Sequence, residues 1–564
     1  MVAVEPLGHR PGLSAMFLRS FERRDFVAVL LLLGLSAVVA TTVRFNLSPL
    51  EDAAILMRYA QNLADGHGLV WNVGEEPVDG ATDFLFTIIV AGLNALGIAV
   101  EIAARLVLMV SWLATIVIVY VTARIVHRAP IVISFLASSA IAVSTASLYI
   151  SAGFGAPFFG FWVSMTAAFA FCLRNQPYRR VTAVLFGLSW LMLGLTRPEG
   201  VLLGAFIALA LIVDSGWARA RRLLNIPLLL MAVLGGTYFA WHWIYFGYPL
   251  PNPFYKKGGG TLHADGLLNS MRSARQFITP FGLAWLAAAA DRRYRAIAWF
   301  TAIPIVLFTT SWILLSSEMN FAARFQYPLA VLVAQSWPAL VGARGARRLV
   351  EAARFTRSVP GNAARVLSVA ALIIVMALPA ISYYHYYHLD APLDDERVAI
   401  GELMAPFASR GYVLATTEAG LIPLKSEWRA LDTWGLNNQR IAHRGQLSYA
   451  DLDDSKPTVI FYHAPFLPGF APVPDPNLGE KWTDMIVILE RWALANGYKR
   501  VRTVGKPDGR TWNIWVRLGE PDSVQLVERL GCRTYEGSPD LLSDEDRGIS
   551  CKLGRYSGDG GLKR

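Results

Sequence analysis

Two adjacent carboxylates, Glu51 and Asp52, open the stretch SPLEDAAILMRYAQNLADGHGLVWN (48–72), shortly after an apolar run. A carboxylate in a water-poor cleft can take a proton from a hydroxyl, whereas one at a helix N-terminus can simply complement the helix dipole. Their spacing separates the two acids. Ser48, Pro49 and Glu51 read as a capping box, with serine at N-cap, proline at N1 and glutamate at N3. Glu51 therefore has a structural task. Asp52 stands one turn before an apolar stripe of Ile55, Leu56, Tyr59 and Leu63 on a helix expected over 49–64. That side would face the membrane interface or a helical bundle, where an unpaired acid is costly. Two readings of Asp52 stand side by side: a general base, or a first-turn acid that stabilises the helix.

Later stretches add groups of other kinds. The rest of the first loop carries His67, Trp71, Asn72, Asp79 and Asp83, which suit hydrogen bonding to hydroxyls and would equally serve as loop stabilisers. LTRPEG places Arg197 and Glu199 between two apolar runs, as an architectural ion pair or as part of a site. GYPLPNPFYKKGGG puts Lys256 and Lys257 near the interface, and SEMNFAARFQYP puts Arg324 close to the start of an apolar helix. A guanidinium there calls for an anionic partner, and phosphate matches its fork of donors. Snorkelling to lipid headgroups is the plain alternative. There is no HExxH, paired CxxC or DxD, and no glycine-rich nucleotide loop between a strand and a helix, so neither a metal nor a soluble nucleotide cofactor is expected.

The elements that must position these groups are mostly apolar. Only 17% of the 564 residues are charged and 54% are hydrophobic, against about 25% charged in an ordinary soluble domain. A polytopic helical membrane protein follows. The net charge of +10 sits in short clusters between apolar runs, the pattern of cytoplasmic loops rather than of a nucleic-acid surface. Apolar runs fall near 25–44, 103–122, 130–149, 157–173, 181–195, 200–215, 223–246, 279–290, 296–315, 322–341 and 364–385, giving about 11–13 spans with an odd count favoured. FLFTIIVAGLNALGI (84–98) is too short for a regular crossing and is expected as a broken or partly inserted helix. ARIVHR, RNQPYRR, WARARR, DRRYR and the 343–358 stretch are basic and assigned to the cytoplasm. Residues 45–83, SAGFGAP, TRPEG, 247–278 and SSEMN are assigned to the opposite face.

From about 386 to 564 the pattern becomes that of a small α/β or α+β domain. Helices are expected in DDERVAIGELMAPF and KWTDMIVILERWALANG, and strands in GYVLATTEAG, KPTVIFYHA and TWNIWVRL. The expected organisation is a cytoplasmic N-terminus (1–24), a membrane domain (25–385) and an extracytoplasmic domain (386–564). Cys532 and Cys551 form a disulfide if that tail is outside the cytoplasm, or stay reduced.

The block EDAAILMRYAQNLADGHGLVWNVGEEPVDGATDFLF resembles the first-loop signature of the GT-C membrane glycosyltransferases, in the branch related to the mycobacterial terminal β-(1→2)-arabinofuranosyltransferase. LTRPEG, YPLPNPFYKK, RFQYPL and ATTEAGLIPLKSEWRALDTWGLNNQRIA are similar to segments of that group. The resemblance implies a multi-pass enzyme of a bacterial inner membrane, monomeric and independent of nucleic acid. It would move a sugar, arabinofuranose foremost, from a polyprenyl-phosphate donor in the lipid bilayer to a cell-envelope glycan on the extracytoplasmic face. Another lipid-linked sugar such as mannose, or a lipid-linked substrate transporter, is the alternative. Asp52 would be the catalytic base with Glu51 as alternate, and Arg324, Lys256 and Arg197 would hold the phosphate. Sugar and acceptor would meet Arg58, Tyr59, His67, Trp71, Asp79 and Asp83 in the first loop. Glu199, Asn252, Tyr255, His263 and Glu318 would meet them from later loops. Two departures stand out: GFGA puts Gly155 where related sequences often carry an acid, and Thr82-Asp83 replaces their frequent Thr-Asn.

Overall fold

The computed structural model describes residues 22–258, 260–341, 396–465, 472–474, 478–505, 511–532, 556–557 and 561–562. Six helices in it are long and apolar enough to cross a membrane: Val100–Val126, Ile131–Ala152, Ala156–Asn175, Pro198–Ser215, Trp217–Phe246 and Arg295–Leu314. Arg180–Thr196 is apolar but shorter. The expected runs 279–290 and 322–341 fall in the helices Ala264–Ala290 and Tyr327–Val341, while 364–385 lies outside the described residues. The helix Phe84–Ala95 extends for 12 residues, about 18 Å against a hydrocarbon core of about 30 Å, so it cannot cross. It turns back at Gly97, which adopts φ +90°.

Ala156–Asn175 is the hub of the bundle, packed against Val100–Val121, Arg180–Thr196 and Tyr327–Val341. Gly160 allows the approach of Tyr327–Val341, since a Cβ there would lie 2.8 Å from the Tyr327 ring. By contrast, Trp217–Phe246 lies at the edge, with 17% of its apolar window buried against 67% for the hub helix. It passes through a π-helical turn at Met231–Gly235, one turn after Pro227. The first helix among the described residues, Arg23–Ala40, is tied down by Asp25, which accepts hydrogen bonds from Tyr120 (2.8 Å) and Arg124 (2.6 Å).

The C-terminal domain is built on a five-stranded mixed sheet: β1 (Val413–Thr416), β2 (Arg429–Asp432), β3 (Val459–Ala464), β4 (Tyr498–Gly505) and β5 (Thr511–Arg517), in the order β2-β1-β3-β5-β4. β1 is parallel to both β2 and β3, and β5 is antiparallel to β3 and β4. The three expected strands and both expected helices are present, the latter as Glu396–Met404 and Glu480–Ala495. Cys532 is disulfide-bonded, Cys172 is free, and Cys551 lies outside the described residues.

Between the two parts lies the helix Glu51–Ala64, and its two faces belong to different cores. Ala53, Ala54, Met57 and Ala60 pack into the membrane bundle. Ile55 and Tyr59 pack with Leu69, Trp71 and Ala81 into the core of the C-terminal domain, beside Trp428, Trp434 and Leu436. Of the expected apolar stripe, Ile55 and Tyr59 thus face the C-terminal domain, Leu56 and Leu63 pack against both cores, and the face of three alanines and Met57 meets the bundle. The stripe's substantial residues are the ones a second core can use, whereas alanines let helices approach closely.

Candidate active site

The helix Glu51–Ala64 begins two residues later than the sequence suggested. Leu50 is its N-cap and no side chain caps it, so the Ser48–Glu51 capping box does not form. Glu51 is instead directed to the C-terminal domain, where its Oε1 accepts the backbone N–H groups of Gly420 and Leu421. Asp52 turns the other way, into a cavity of about 710 Å³. The loops assigned to one face of the membrane meet around this cavity, with Asp52, Asp83, Gly155, Arg197, Lys257 and Ser316 in its wall.

Asp52 accepts a hydrogen bond of 2.5 Å from Nη2 of Arg324. Arg324 also donates to the Met319 carbonyl (3.1 Å) and stacks on Phe154, 3.9 Å from its centroid, while its buried Nε has no hydrogen-bond partner among the described residues. The segment that carries it is strained: Met319, Ala322 and Ala323 all adopt positive φ, between 47° and 58°. Each such residue stores roughly 1–3 kcal/mol, and such strain clusters at functional sites. Tyr149 holds the segment by donating to the Ala322 carbonyl, and Asn320 does so by accepting from the Phe325 amide.

Three cations converge on the Phe325 ring, with Arg324 at 5.0 Å, Arg197 at 5.1 Å and Lys257 at 5.8 Å from its centroid. Trp312 covers another part of the ring, stacked at 5.1 Å. Burial pushes the Lys257 ammonium below the usual lysine range, with Asp52 pulling it back up. Arg197 pairs with Glu199 (2.8 Å) and Asp83 (3.5 Å), so the LTRPEG pair is part of the cavity wall. Below this polar end the cavity continues between Leu191, Leu195, Leu202, Met231, Phe239 and Leu314, an apolar passage bordered by the edge helix Trp217–Phe246.

The expected residues divide accordingly. Asp52, Asp79, Asp83, Arg197, Glu199 and Arg324 line the cavity. Lys256 does not: it donates to the Gly445 carbonyl (2.7 Å) and lies over Trp434 at 4.0 Å, inside the seam with the C-terminal domain. Its neighbour Lys257 points into the cavity instead, because adjacent helical residues diverge by about 100°. Arg58 and Tyr59 are buried joints. Arg58 donates to the Trp71 and Trp428 carbonyls, and Tyr59 to that of Val78. The Trp71 ring lies beneath Arg58, at 5.1 Å, and His67 is exposed on the loop. Tyr255 stacks on His443, His263 bonds the Gly258 carbonyl, and Glu318 offers Lys257 its backbone oxygen. Asn252 is buried, its backbone N–H donating to the Asp79 carbonyl.

Two features of the wall were not drawn from the sequence. His242 lies 2.7 Å from Asp79, and its signal was a histidine inside the aromatic apolar run GTYFAWHWIYF. The two departures Gly155 and Asp83 lie against each other: a Cβ at Gly155 would fall 2.1 Å from the Asp83 carboxylate. Among the described residues no group of three or more His, Cys, Asp or Glu is placed to hold a metal ion.

Solved structures with this architecture include ArnT from Cupriavidus metallidurans bound to undecaprenyl phosphate. It has a TM-score of 0.53 at 13% identity, covering 86% of this chain and 97% of that one. The archaeal oligosaccharyltransferase AglB from Archaeoglobus fulgidus, in complex with an inhibitory peptide and a dolichol-phosphate, gives 0.51 at 11% identity over 92% of this chain and 76% of that one. The chain has the GT-C fold. Residues 383–518 match the model of a domain of unknown function (DUF8728), so the C-terminal domain and the approach to it carry a family pattern of their own. No curated protein matches the sequence. In GT-C terms, the cavity lies where the membrane bundle, the first loop and the C-terminal domain meet.

Proposed function

We propose that the protein is a glycosyltransferase that moves a sugar from a polyprenyl-phosphate donor to a hydroxyl of a cell-envelope glycan on the extracytoplasmic face, with arabinofuranose as the sugar. The observation that carries this reading is the convergence of Arg324, Arg197 and Lys257 on one ring, beside Asp52 and at the head of an apolar passage. A lipid phosphate needs both halves of such a site, cations for its head and apolar walls for its tail. ArnT and AglB, which share the fold, are bound to undecaprenyl phosphate and dolichol-phosphate.

In this mechanism the acceptor hydroxyl gives its proton to Asp52 as its oxygen bonds to the anomeric carbon. The bond from that carbon to the phosphate oxygen breaks, and the charge left on the phosphate is taken up by Arg324, Lys257 and Arg197. Arg324 stands between base and leaving group, and its unpartnered Nε is a donor ready for a phosphate oxygen. Asp83, Glu199 and Asp79 supply acceptors for sugar hydroxyls. The C-terminal domain excludes water above the site.

The test offers purified protein polyprenyl-phosphoryl arabinofuranose and polyprenyl-phosphoryl mannose with envelope glycan as acceptor. Transfer from the arabinofuranosyl donor supports the reading, and transfer from mannose alone corrects the sugar. Labelled lipid crossing the membrane of liposomes without any transfer makes the protein a transporter and overturns it.

A further inference from the structure

The C-terminal sheet has a topological switch point between β1 and β3, two parallel neighbours whose next strands, β2 and β4, lie at opposite edges of the sheet. Open α/β sheets bind their ligands in the crevice outside the carboxyl ends of such strands. Here the end of β1 runs through Thr417 and Glu418 to Gly420, and His463 stands near the end of β3. The crevice is occupied by a side chain of the same protein. Glu51 reaches it from the membrane side, taking the Gly420 and Leu421 amides on Oε1 and pairing through Oε2 with Arg397 at 3.2 Å. Arg397 in turn pairs with the buried Glu418, whose Oε1 lies 2.6 Å from Nδ1 of His463. The fit extends to the backbone. A Cβ at Gly420 would fall 2.0 Å from the Glu51 carbonyl oxygen, so glycine is needed for the approach.

We infer that Glu51 is the internal ligand of the C-terminal domain and a positioning residue for the catalytic centre: its seat on Gly420, Leu421 and Arg397 fixes the first turn of the helix that carries Asp52. This rests on the reading of Asp52 as the base. Glu51 is no alternate base, because both of its oxygens are engaged in the seam and it does not line the cavity. The adjacent residue bears the chemistry, so a displacement of about 1 Å at Glu51 is transmitted directly, and an error of that size can lower a rate by roughly a hundredfold. The C-terminal domain thereby does more than cover the site. It sets where the base stands.

The experiment compares Glu51→Ala, Glu51→Gln and Arg397→Met with the wild type and with Asp52→Asn, in full-length protein. Three quantities are followed: kcat, binding of polyprenyl phosphate, and hydrogen exchange of the 51–64 amides. Glu51→Ala and Arg397→Met should lower kcat by roughly ten- to a hundredfold. They should also speed exchange in the first turn and leave polyprenyl-phosphate affinity within about twofold, because Arg324, Lys257 and Arg197 are held by other elements. Glu51→Gln keeps an oxygen for the two amides and should retain most of kcat. Equal inactivation by Gln and Ala with first-turn exchange unchanged in both would show that the charge or proton of Glu51 takes part in the reaction, and would overturn the inference. Wild-type kcat and exchange in Glu51→Ala would overturn it as well. Full activity of Asp52→Asn removes the base assignment alone, since the exchange result reports the seat of Glu51 independently.

Discussion

Asp52 and Glu51 are neighbours in sequence and point to different halves of the molecule. One faces the cavity and the other the seam, as successive helical positions do when a helix lies between two packing surfaces. Asp52→Asn should lower turnover by roughly 10²–10⁴-fold, the usual worth of a general base, with donor binding retained. Titrations with polyprenyl phosphate beside rate measurements check both halves of that statement. The same divergence separates Lys256 from Lys257. Lys257→Ala and Arg324→Ala should each weaken polyprenyl-phosphate binding by roughly ten- to a hundredfold, equivalent to about 1.5–3 kcal/mol for a charged hydrogen bond. Lys256→Met, with its carbonyl partner on Gly445, should leave donor affinity near that of the wild type.

At the scale of elements, the sequence showed the apolar helices, three of the five strands of the described sheet and the helices Glu396–Met404 and Glu480–Ala495 through their periodicity. It did not show β2, which is only four residues long, or β4, whose Lys499, Arg500 and Arg502 and irregular register break the alternation of a strand. Nor could periodicity say that the stripe of Ile55 and Tyr59 belongs to the C-terminal core, since an apolar face records burial without naming its partner. Of the site, the acid and two of the three cations were legible as charges at the ends of apolar runs. The pairing of Asp83 with Gly155 was not, because their contact spans more than seventy positions. It yields a stability prediction. Gly155→Ala places a methyl group against the Asp83 carboxylate and should destabilise by about 1–3 kcal/mol. Asp83→Ala in the same chain should relieve that contact, because Arg197 keeps Glu199. A thermal-unfolding cycle over the two single variants and the double variant measures the coupling, which additive losses would contradict.

Across the whole molecule, the first loop enters the cores of both bundle and C-terminal domain, and Lys256 with Gly445 and Lys425 with Glu101 add to the seam, so the domain's stability bears on the site. Burial alone would raise the Glu418 carboxyl, but Arg397 and His463 beside it hold it down at about 2. A carboxyl with a depressed folded pKa contributes stability in full above its unfolded value, about 4.3, and loses it as pH falls toward about 2. Unfolding temperatures should therefore drop between about pH 4 and pH 2, and Glu418→Gln should flatten that drop while lowering stability at neutral pH. An equally steep loss in Glu418→Gln would place the acid sensitivity elsewhere.

The central claim, that Asp52 and the cations around Phe325 transfer a sugar from a lipid phosphate, is tested most directly by one assay. Purified wild-type protein and Asp52→Asn are each given polyprenyl-phosphoryl arabinofuranose and an envelope glycan, and the glycosylated product and released polyprenyl phosphate are counted. The account predicts equal amounts of both products from the wild type, and donor binding without product from Asp52→Asn. Full turnover by Asp52→Asn, or no transfer by a wild-type protein that binds the donor, would contradict it.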